Sequence, residues 1–153
     1  MSDLKRFIDA QAYNYADALK EIQNGRKMSC WMWYVFPQIQ GLGYSSTARY
    51  YAINDLQEAK DYLNDNILGV RLLEICEAVL NVNCNNAYQV FGSPDDMKLK
   101  SSMTLFELVA PENLIFGKVL DKFFNGERDE RTIQIINQMK EENDCKGKVN
   151  NIV

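Results

Sequence analysis

Residues 28–48 read MSCWMWYVFPQIQGLGYSSTA, a run of 21 residues without a charged side chain between Lys27 and Arg49. Its length alone would suit a membrane-spanning helix. Its proline, glutamine, glycine and serine residues would be costly in lipid, however, because their polar groups find no partners there. The aromatic density from Trp31 to Gln38 favours burial within protein instead. We therefore expect a buried, irregular aromatic segment at the centre of the domain, and no membrane partner.

Helical periodicity dominates the rest of the chain. Apolar residues recur at three- and four-residue spacing, which is typical of amphipathic helices, and no alternating strand pattern or internal repeat is visible. Capping residues, prolines and glycines predict helices from about Leu4 to Ile22, Asn54 to Leu63, Asn66 to Leu80, Asn86 to Phe91, Ser93 to Ala110, Pro111 to Phe124 and Asp129 to Glu142. The expected fold class is all-α: a single compact multi-helix domain over residues 1–142, followed by a polar C-terminal tail over residues 143–153.

The composition is that of an ordinary globular domain. Of the 153 residues, 46% are hydrophobic and 25% are charged, so the chain can bury a core without a metal or a disulfide. Seventeen basic and 21 acidic side chains give a net charge of −4, which argues against a nucleic-acid partner. The chain has no histidine, and this excludes Ser-His and Cys-His dyads and histidine metal sites.

The cysteines do not indicate a metal or a cofactor. The four cysteines stand at positions 30, 76, 84 and 145, so no C-x-x-C pair exists and a zinc site is not expected. The first residues, MSDLKRFIDAQ, lack the apolar core of a signal peptide. We therefore expect reduced thiols and a cytoplasmic location.

Four polar or aromatic side chains in the first half of the chain could line a ligand pocket. Gln11 falls on the apolar stripe of the first helix, where it either bonds a loop backbone in the core or contacts a ligand. Trp31, Trp33 and Tyr34 either pack in the core or form an aromatic wall for a flat ligand such as a base.

A polar face interrupts the apolar helix that follows Ser93. Lys98, Ser101 and Ser102 share one face, and Lys100 and Thr104 form a second polar pair four residues apart. This face is either a solvated edge whose serines bond their own helix, or a cluster aimed into a pocket. Because a lysine near the core needs water or an anion beside it, we expect a pocket.

A glycine- and serine-rich turn follows the aromatic residues. Gly41 and Gly43 allow a close backbone approach, and Ser45 to Thr47 lead to Arg49. This arrangement suits an oxyanion or a phosphate, although glycine and serine are also common in loops.

Two strings make the chain similar to a known family. These are Trp31-Met-Trp-Tyr-Val-Phe-Pro-Gln38 and Lys98-Leu-Lys-Ser-Ser-Met-Thr-Leu-Phe106. With further matches from about Leu4 to Asn137, the chain resembles domain-of-unknown-function family 1810. The resemblance implies an all-helical fold and no particular activity. The polar residues that belong to its pattern are Gln11, Arg26, Gln38, Ser45, Lys98, Ser101, Ser102 and Thr104, and they add weight to a shared pocket.

The chain departs from the family pattern at two positions. Cys30 stands where the family commonly has a histidine before the Trp-Met-Trp string, and Asp65 stands where it commonly has a histidine before proline. If those histidines serve a shared chemistry, this protein has lost or replaced it. If they are structural, both changes are simple exchanges.

The leading functional hypothesis is a pocket for a small anionic ligand, such as a nucleotide or an ADP-ribose-like compound. Aromatic residues and cations together suit such a ligand. An enzyme would also need an acid or base, and Asp96 or Glu21 would have to serve. The rival hypothesis is a protein–protein interaction module or a homodimer without catalytic activity.

Overall fold

The computed structural model describes the backbone of residues 3–151 and the side chains of residues 3–144. This part of the chain is all-α, as the sequence predicts, with one isolated β-bridge between Ile39 and Ile53. Its nine helices are α1 (Lys5–Gln23), α2 (Met32–Val35), α3 (Ser46–Tyr50), α4 (Leu56–Asn64), α5 (Leu68–Asn81), α6 (Ala87–Phe91), α7 (Asp95–Val109), α8 (Ile115–Phe124) and α9 (Glu130–Asn151).

Helix α7 lies at the centre of the packing. It contacts α4, α6, α8 and α9, while α5 packs against α1 and α8. Every residue from Ser101 to Phe106 is buried, so these two turns of α7 have no solvated face, whereas Leu108 near the end of the helix is exposed. The buried apolar side chains of Leu99, Met103, Leu105 and Phe106 stabilise this packing.

Within the uncharged run, residues 31–39 are mostly buried, as expected, whereas residues 28–30 before them are exposed. Trp31, Phe36 and Ile39 are almost completely inaccessible to solvent. The ring of Phe91 in α6 lies 6.5 Å from that of Trp31 and 6.0 Å from that of Phe36, in edge-to-face geometry. From Gln40 onward the uncharged run lies at or near the surface, so its lack of charge does not mark burial there.

Several helix boundaries differ from the predicted ones. Asp55, and not Asn54, caps α4 by accepting a hydrogen bond from the N–H of Glu58. Helix α7 begins at Asp95 without a side-chain cap from Ser93, because Pro94 occupies the capping position. Helix α8 begins at Ile115, after a turn that contains Pro111, and α9 continues through Asn151 beyond the predicted end at Glu142.

A buried ion pair ties α1 to the chain around α3 and α4. Arg6 Nη2 lies 2.6 Å from Glu58 Oε1, and both side chains are buried. Arg6 also donates to the backbone carbonyls of Tyr50 and Ala52, at 2.8 Å each. These contacts fix the segment that follows the glycine-rich turn. Among the described helices, none has the length and apolarity to cross a membrane.

Candidate functional site

The carboxylate of Glu21 holds the loop between α1 and α2. Its Oε1 accepts hydrogen bonds from the backbone N–H groups of Met28 (2.6 Å) and Ser29 (2.9 Å) and from Nε1 of Trp31 (2.9 Å), and its Oε2 accepts one from Ser29 Oγ (2.7 Å). Burial alone would raise the pKa of this carboxyl, but the four hydrogen bonds favour the ionised form and lower the pKa to about 2. Glu21 is thus an ionised anchor for the loop.

Two lysines and one aspartate form a largely buried ionic cluster at the start of α7. Lys27 Nζ lies 2.8 Å from Asp95 Oδ2, and Lys98 Nζ lies 3.6 Å from Asp95 Oδ1. The side chains of Lys27, Asp95 and Lys98 are only 9%, 18% and 20% exposed. This Lys27–Asp95–Lys98 cluster has two positive charges and one negative charge. It therefore carries a net charge of +1 where little water reaches it.

Each lysine of the cluster also lies over a tryptophan ring. Lys27 Nζ is 5.1 Å from the ring centroid of Trp31, and Lys98 Nζ is 4.7 Å from that of Trp33. The electron-rich ring faces attract the ammonium groups and offset part of their desolvation. Trp31 is fully buried, whereas Trp33 is half-buried. Of the two rings, only that of Trp33 remains open to a ligand.

A cleft of about 420 Å³ opens beside Lys27. It is bordered by Arg26 and Lys27 on one side and by residues 88–92 on the other. We call it the Arg26 cleft. Arg26 is exposed, and within residues 3–144 it pairs with no carboxylate. The ring of Tyr88 is 62% exposed, and the N–H of Lys27 donates to the carbonyl of Val90 at 2.7 Å, which fixes the two walls relative to each other.

Gln11 and Tyr34 belong to a buried polar network on the opposite side of the aromatic segment. Gln11 Nε2 donates to the carbonyl of Tyr34 at 2.7 Å and to the hydroxyl of Tyr62 at 2.9 Å. Gln11 Oε1 is buried without a hydrogen-bond partner. The Tyr34 hydroxyl accepts from Asn14 Nδ2 at 2.5 Å, and burial raises the pKa of this phenol. The contacts of Gln11 join α1, α2 and α4.

Ser101 and Thr104 position the start of α9. Ser101 Oγ lies 3.2 Å from both the carbonyl of Met97 and Asp129 Oδ2. Thr104 Oγ1 donates to the carbonyl of Lys100 at 2.8 Å and accepts from the N–H of Asp129 at 2.9 Å. Ser102 is fully buried, and its hydroxyl has no hydrogen-bond partner. The three hydroxyls therefore face the interior of the helix packing rather than the Arg26 cleft.

Of four further positions raised by the sequence, three make local contacts. The carbonyl of Gln38 accepts from the N–H of Ile53 at 2.8 Å, and Ser45 caps α3 by accepting from the N–H of Ala48. Asp65 Oδ1 accepts from the N–H groups of Ile67 and Leu68 at 2.9 Å each, which orders the turn before α5. Cys30 is exposed with a free thiol.

The candidate residues are thus divided among separate places. Lys98 and Trp33 are in contact, Arg26 lies in the adjoining cleft, and Trp31 packs beneath Lys27. Sequence reasoning missed Lys27 and Asp95 as members of this site. The spacing of Asp95 and Lys98, three residues apart on one helix, indicates such a pair, but the partner on the preceding loop is visible only in the fold.

The described part of the chain does not contain a metal centre of the usual kind. Between residues 3 and 144, no three cysteine, aspartate or glutamate side chains come together in a way that could hold an ion. The described cysteines, Cys30, Cys76 and Cys84, are free thiols.

Comparison with known proteins places the chain in a family of unknown function. The family model described as "Protein of unknown function (DUF1810)" matches residues 1–136, and the chain belongs to this family. Among solved structures, it is similar to the crystal structure of the conserved hypothetical protein Rv1873 from Mycobacterium tuberculosis. The two share 44% sequence identity over 88% of this chain and 96% of that one, with a TM-score of 0.86. No curated protein matched.

Proposed function

We propose that this protein binds a small anionic ligand with a flat ring, such as a nucleotide or an ADP-ribose-like compound, in the Arg26 cleft. The observation that carries the proposal is the excess positive charge of the Lys27–Asp95–Lys98 cluster. Lys27 belongs to the cluster and also lines the cleft, so the cluster lies at the edge of the cleft.

The charge balance favours an anion as the ligand. Asp95 is shared by two ammonium groups, so one of the two positive charges has no counterion of its own. A charge held away from water without a partner costs several kcal/mol, in order-of-magnitude terms, unless something compensates it. Arg26 adds a further unpaired positive charge beside the cluster. A phosphate or carboxylate group would complete this balance.

The aromatic surroundings favour a ring on the same ligand. Tyr88 presents an exposed ring within the cleft, and the half-buried ring of Trp33 lies under Lys98. Stacking between two flat rings and contact between a ring and a cation each contribute about 0.5–1.5 kcal/mol. Tyr88 lines the cleft, whereas Trp33 lies beside it under Lys98.

A thermal-shift screen with nucleotides, ADP-ribose and sugar phosphates tests this proposal. A ligand that binds the folded state alone raises the melting temperature, and a concentration of about 100 times the Kd adds roughly 2.7 kcal/mol to the free energy of unfolding. We expect a shift with at least one ring-bearing anion. We expect Lys98→Ala and Arg26→Ala to reduce that shift.

The matched control is Lys60→Ala, which removes an exposed charge from α4 and should leave the shift unchanged. The absence of a shift with every anion would overturn the proposal. So would an equal loss of shift in the control variant. If the protein dimerises in a concentration-dependent way and binds no anion, the result would instead favour the interaction module.

We also infer a cytoplasmic location. The three free thiols among the described cysteines support it, because exposed thiols such as that of Cys30 persist where the environment is reducing. Fractionation of cells that express the tagged protein tests this, and recovery from a secreted or membrane fraction would contradict it.

A further inference from the structure

A groove around Gly41, on a different part of the surface, is a second candidate binding site. Two clefts of about 390 Å³ and 360 Å³ both include Gln40 and Gly41. Arg131 of α9 borders the first cleft, and Arg49 of α3 borders the second. We call the two clefts together the Gly41 groove. Gln40 and Gly41 line both clefts, so the two clefts meet at this turn.

The backbone of the groove is held in place by its neighbours. The N–H of Gln40 donates to the carbonyl of Ile53 at 2.9 Å, and Ile53 is fully buried. Gly41 has a φ of +99°, which residues with a side chain rarely adopt. A Cβ at Gly41 would also lie 3.4 Å from the Ile135 side chain of α9. Glycine suits this backbone conformation, and Gly41 is exposed to solvent.

Both arginines of the groove are available for an anion. Arg49 and Arg131 are exposed, and across residues 3–144 neither pairs with a carboxylate. This is notable in a chain with a net charge of −4. Glu142 also borders the groove, but it lies eleven residues beyond Arg131 along α9, roughly 16 Å away along the helix axis. An arginine matches the geometry of a phosphate by donating two parallel hydrogen bonds.

An exposed aromatic ring lies at the rim of the same groove. Tyr44 borders the cleft of Arg49, and its side chain is 76% exposed. Gly43, one residue earlier, packs so closely on α3 that a Cβ there would lie 2.6 Å from Ala48 Cβ. The turn that carries Tyr44 is therefore fixed against α3, and its ring can be contacted by a flat group.

We propose that the Gly41 groove binds the phosphoryl group of a phosphorylated small molecule, with Arg49 and Arg131 as its ligands and Tyr44 in contact with the ring or apolar part of the molecule. This site is separate from the Arg26 cleft. It requires none of the residues on which the proposed function depends.

Titration calorimetry with inorganic phosphate and phenyl phosphate tests this inference. We expect Arg49→Gln and Arg131→Gln each to weaken the binding of both probes about tenfold. We expect Tyr44→Ala to weaken phenyl phosphate and to leave inorganic phosphate unchanged. All three side chains are exposed, so the melting temperatures of the free variants should stay close to that of the original protein.

Two control variants make the outcome specific. Lys60→Gln removes one exposed charge elsewhere and should not change either affinity. Lys98→Ala removes a residue of the first site, so it should affect binding at that site only and leave the affinity of the Arg49-dependent site unchanged; the two proposals therefore fail independently. The inference would be overturned if neither probe binds, or if Lys60→Gln loses as much affinity as the arginine variants. A loss in Lys98→Ala with none in Arg49→Gln would place the anion in the Arg26 cleft and would also overturn it.

Discussion

Lys98 Nζ lies 4.7 Å from the ring centroid of Trp33, and the same ammonium group lies 3.6 Å from Asp95 Oδ1. This contact joins α7 to the aromatic segment and brings together residues from two separate family strings. Of the two partners of Lys98, Asp95 is also paired with Lys27, and the other is the ring of Trp33.

The first prediction compares the two charges of this contact. Lys98→Met removes the cation–π contact but also the excess positive charge and leaves Lys27 and Asp95 as a neutral pair, so we expect the free energy of unfolding to change by less than about 1 kcal/mol. Asp95→Asn leaves two ammonium groups without a carboxylate and should cost about 2 kcal/mol or more. Urea unfolding of both variants, with Lys60→Met as the exposed control, provides the test. A larger loss for Lys98→Met than for Asp95→Asn would contradict this charge balance.

The second prediction concerns acid stability and Glu21. Hydrogen bonds hold the pKa of Glu21 at about 2 in the folded protein, well below its ordinary value of 4.5. Because the folded pKa is lowered, Glu21 contributes stability above pH 4.5, and this contribution is lost as the pH falls towards 2. Glu21→Gln should therefore be less stable than the original protein at pH 7, and the difference should shrink between pH 4.5 and 2. Glu112→Gln, an exposed control, should show no such trend. A pH-independent difference for Glu21→Gln would be evidence against the ionised anchor.

The third prediction tests the junction between α7 and α9. Thr104→Val keeps the shape of the side chain but leaves the N–H of Asp129 without its acceptor. We expect a loss of about 1–3 kcal/mol in the free energy of unfolding, the cost of an unsatisfied buried donor. Thr47→Val, at an exposed position in α3, is the matched control and should change stability by less than about 0.5 kcal/mol. Equal effects in the two variants would show that the hydrogen bond does not stabilise the junction.

The fourth prediction separates two cysteines by their environment. Cys76 is fully buried, and burial raises the pKa of its thiol well above the ordinary range, whereas Cys30 is exposed. A thiol-specific reagent should therefore label Cys30 in the folded protein and reach Cys76 only on unfolding. Peptide mapping by mass spectrometry after timed labelling measures both rates. Labelling of Cys76 at the rate of Cys30 would contradict the packing around α5.

Much of the fold could be predicted from the sequence because its signals are local. The three- and four-residue apolar spacing fixed the helix class, and Asn86 caps α6 as its sequence signal indicates. Boundaries were less accurate where two residues compete for one role, as Asn54 and Asp55 do at the start of α4. The buried pair of Arg6 and Glu58 had no sequence signal, because the residues lie on different helices.

The candidate site was only partly accessible from the sequence. A polar residue on an apolar helix stripe is expected to be buried, but only the structure shows which group it contacts there. Helical spacing therefore grouped Ser101 with Lys98, yet Ser101 contacts Asp129 while Lys98 contacts Trp33. Asp95 read as an ordinary first-turn acid, because its pairing with Lys27 depends on how the loop of Glu21 folds back onto α7.

The most direct measurement of the proposed function is a crystal structure of the protein with a ring-bearing anion selected by thermal shift. We expect an anionic oxygen of the ligand within hydrogen-bond distance of Nζ of Lys27 or Lys98, or of the guanidinium of Arg26, and the ring against Tyr88 or Trp33. A ligand seated elsewhere on the surface, with the Lys27–Asp95–Lys98 cluster and the Arg26 cleft untouched, would contradict the proposal.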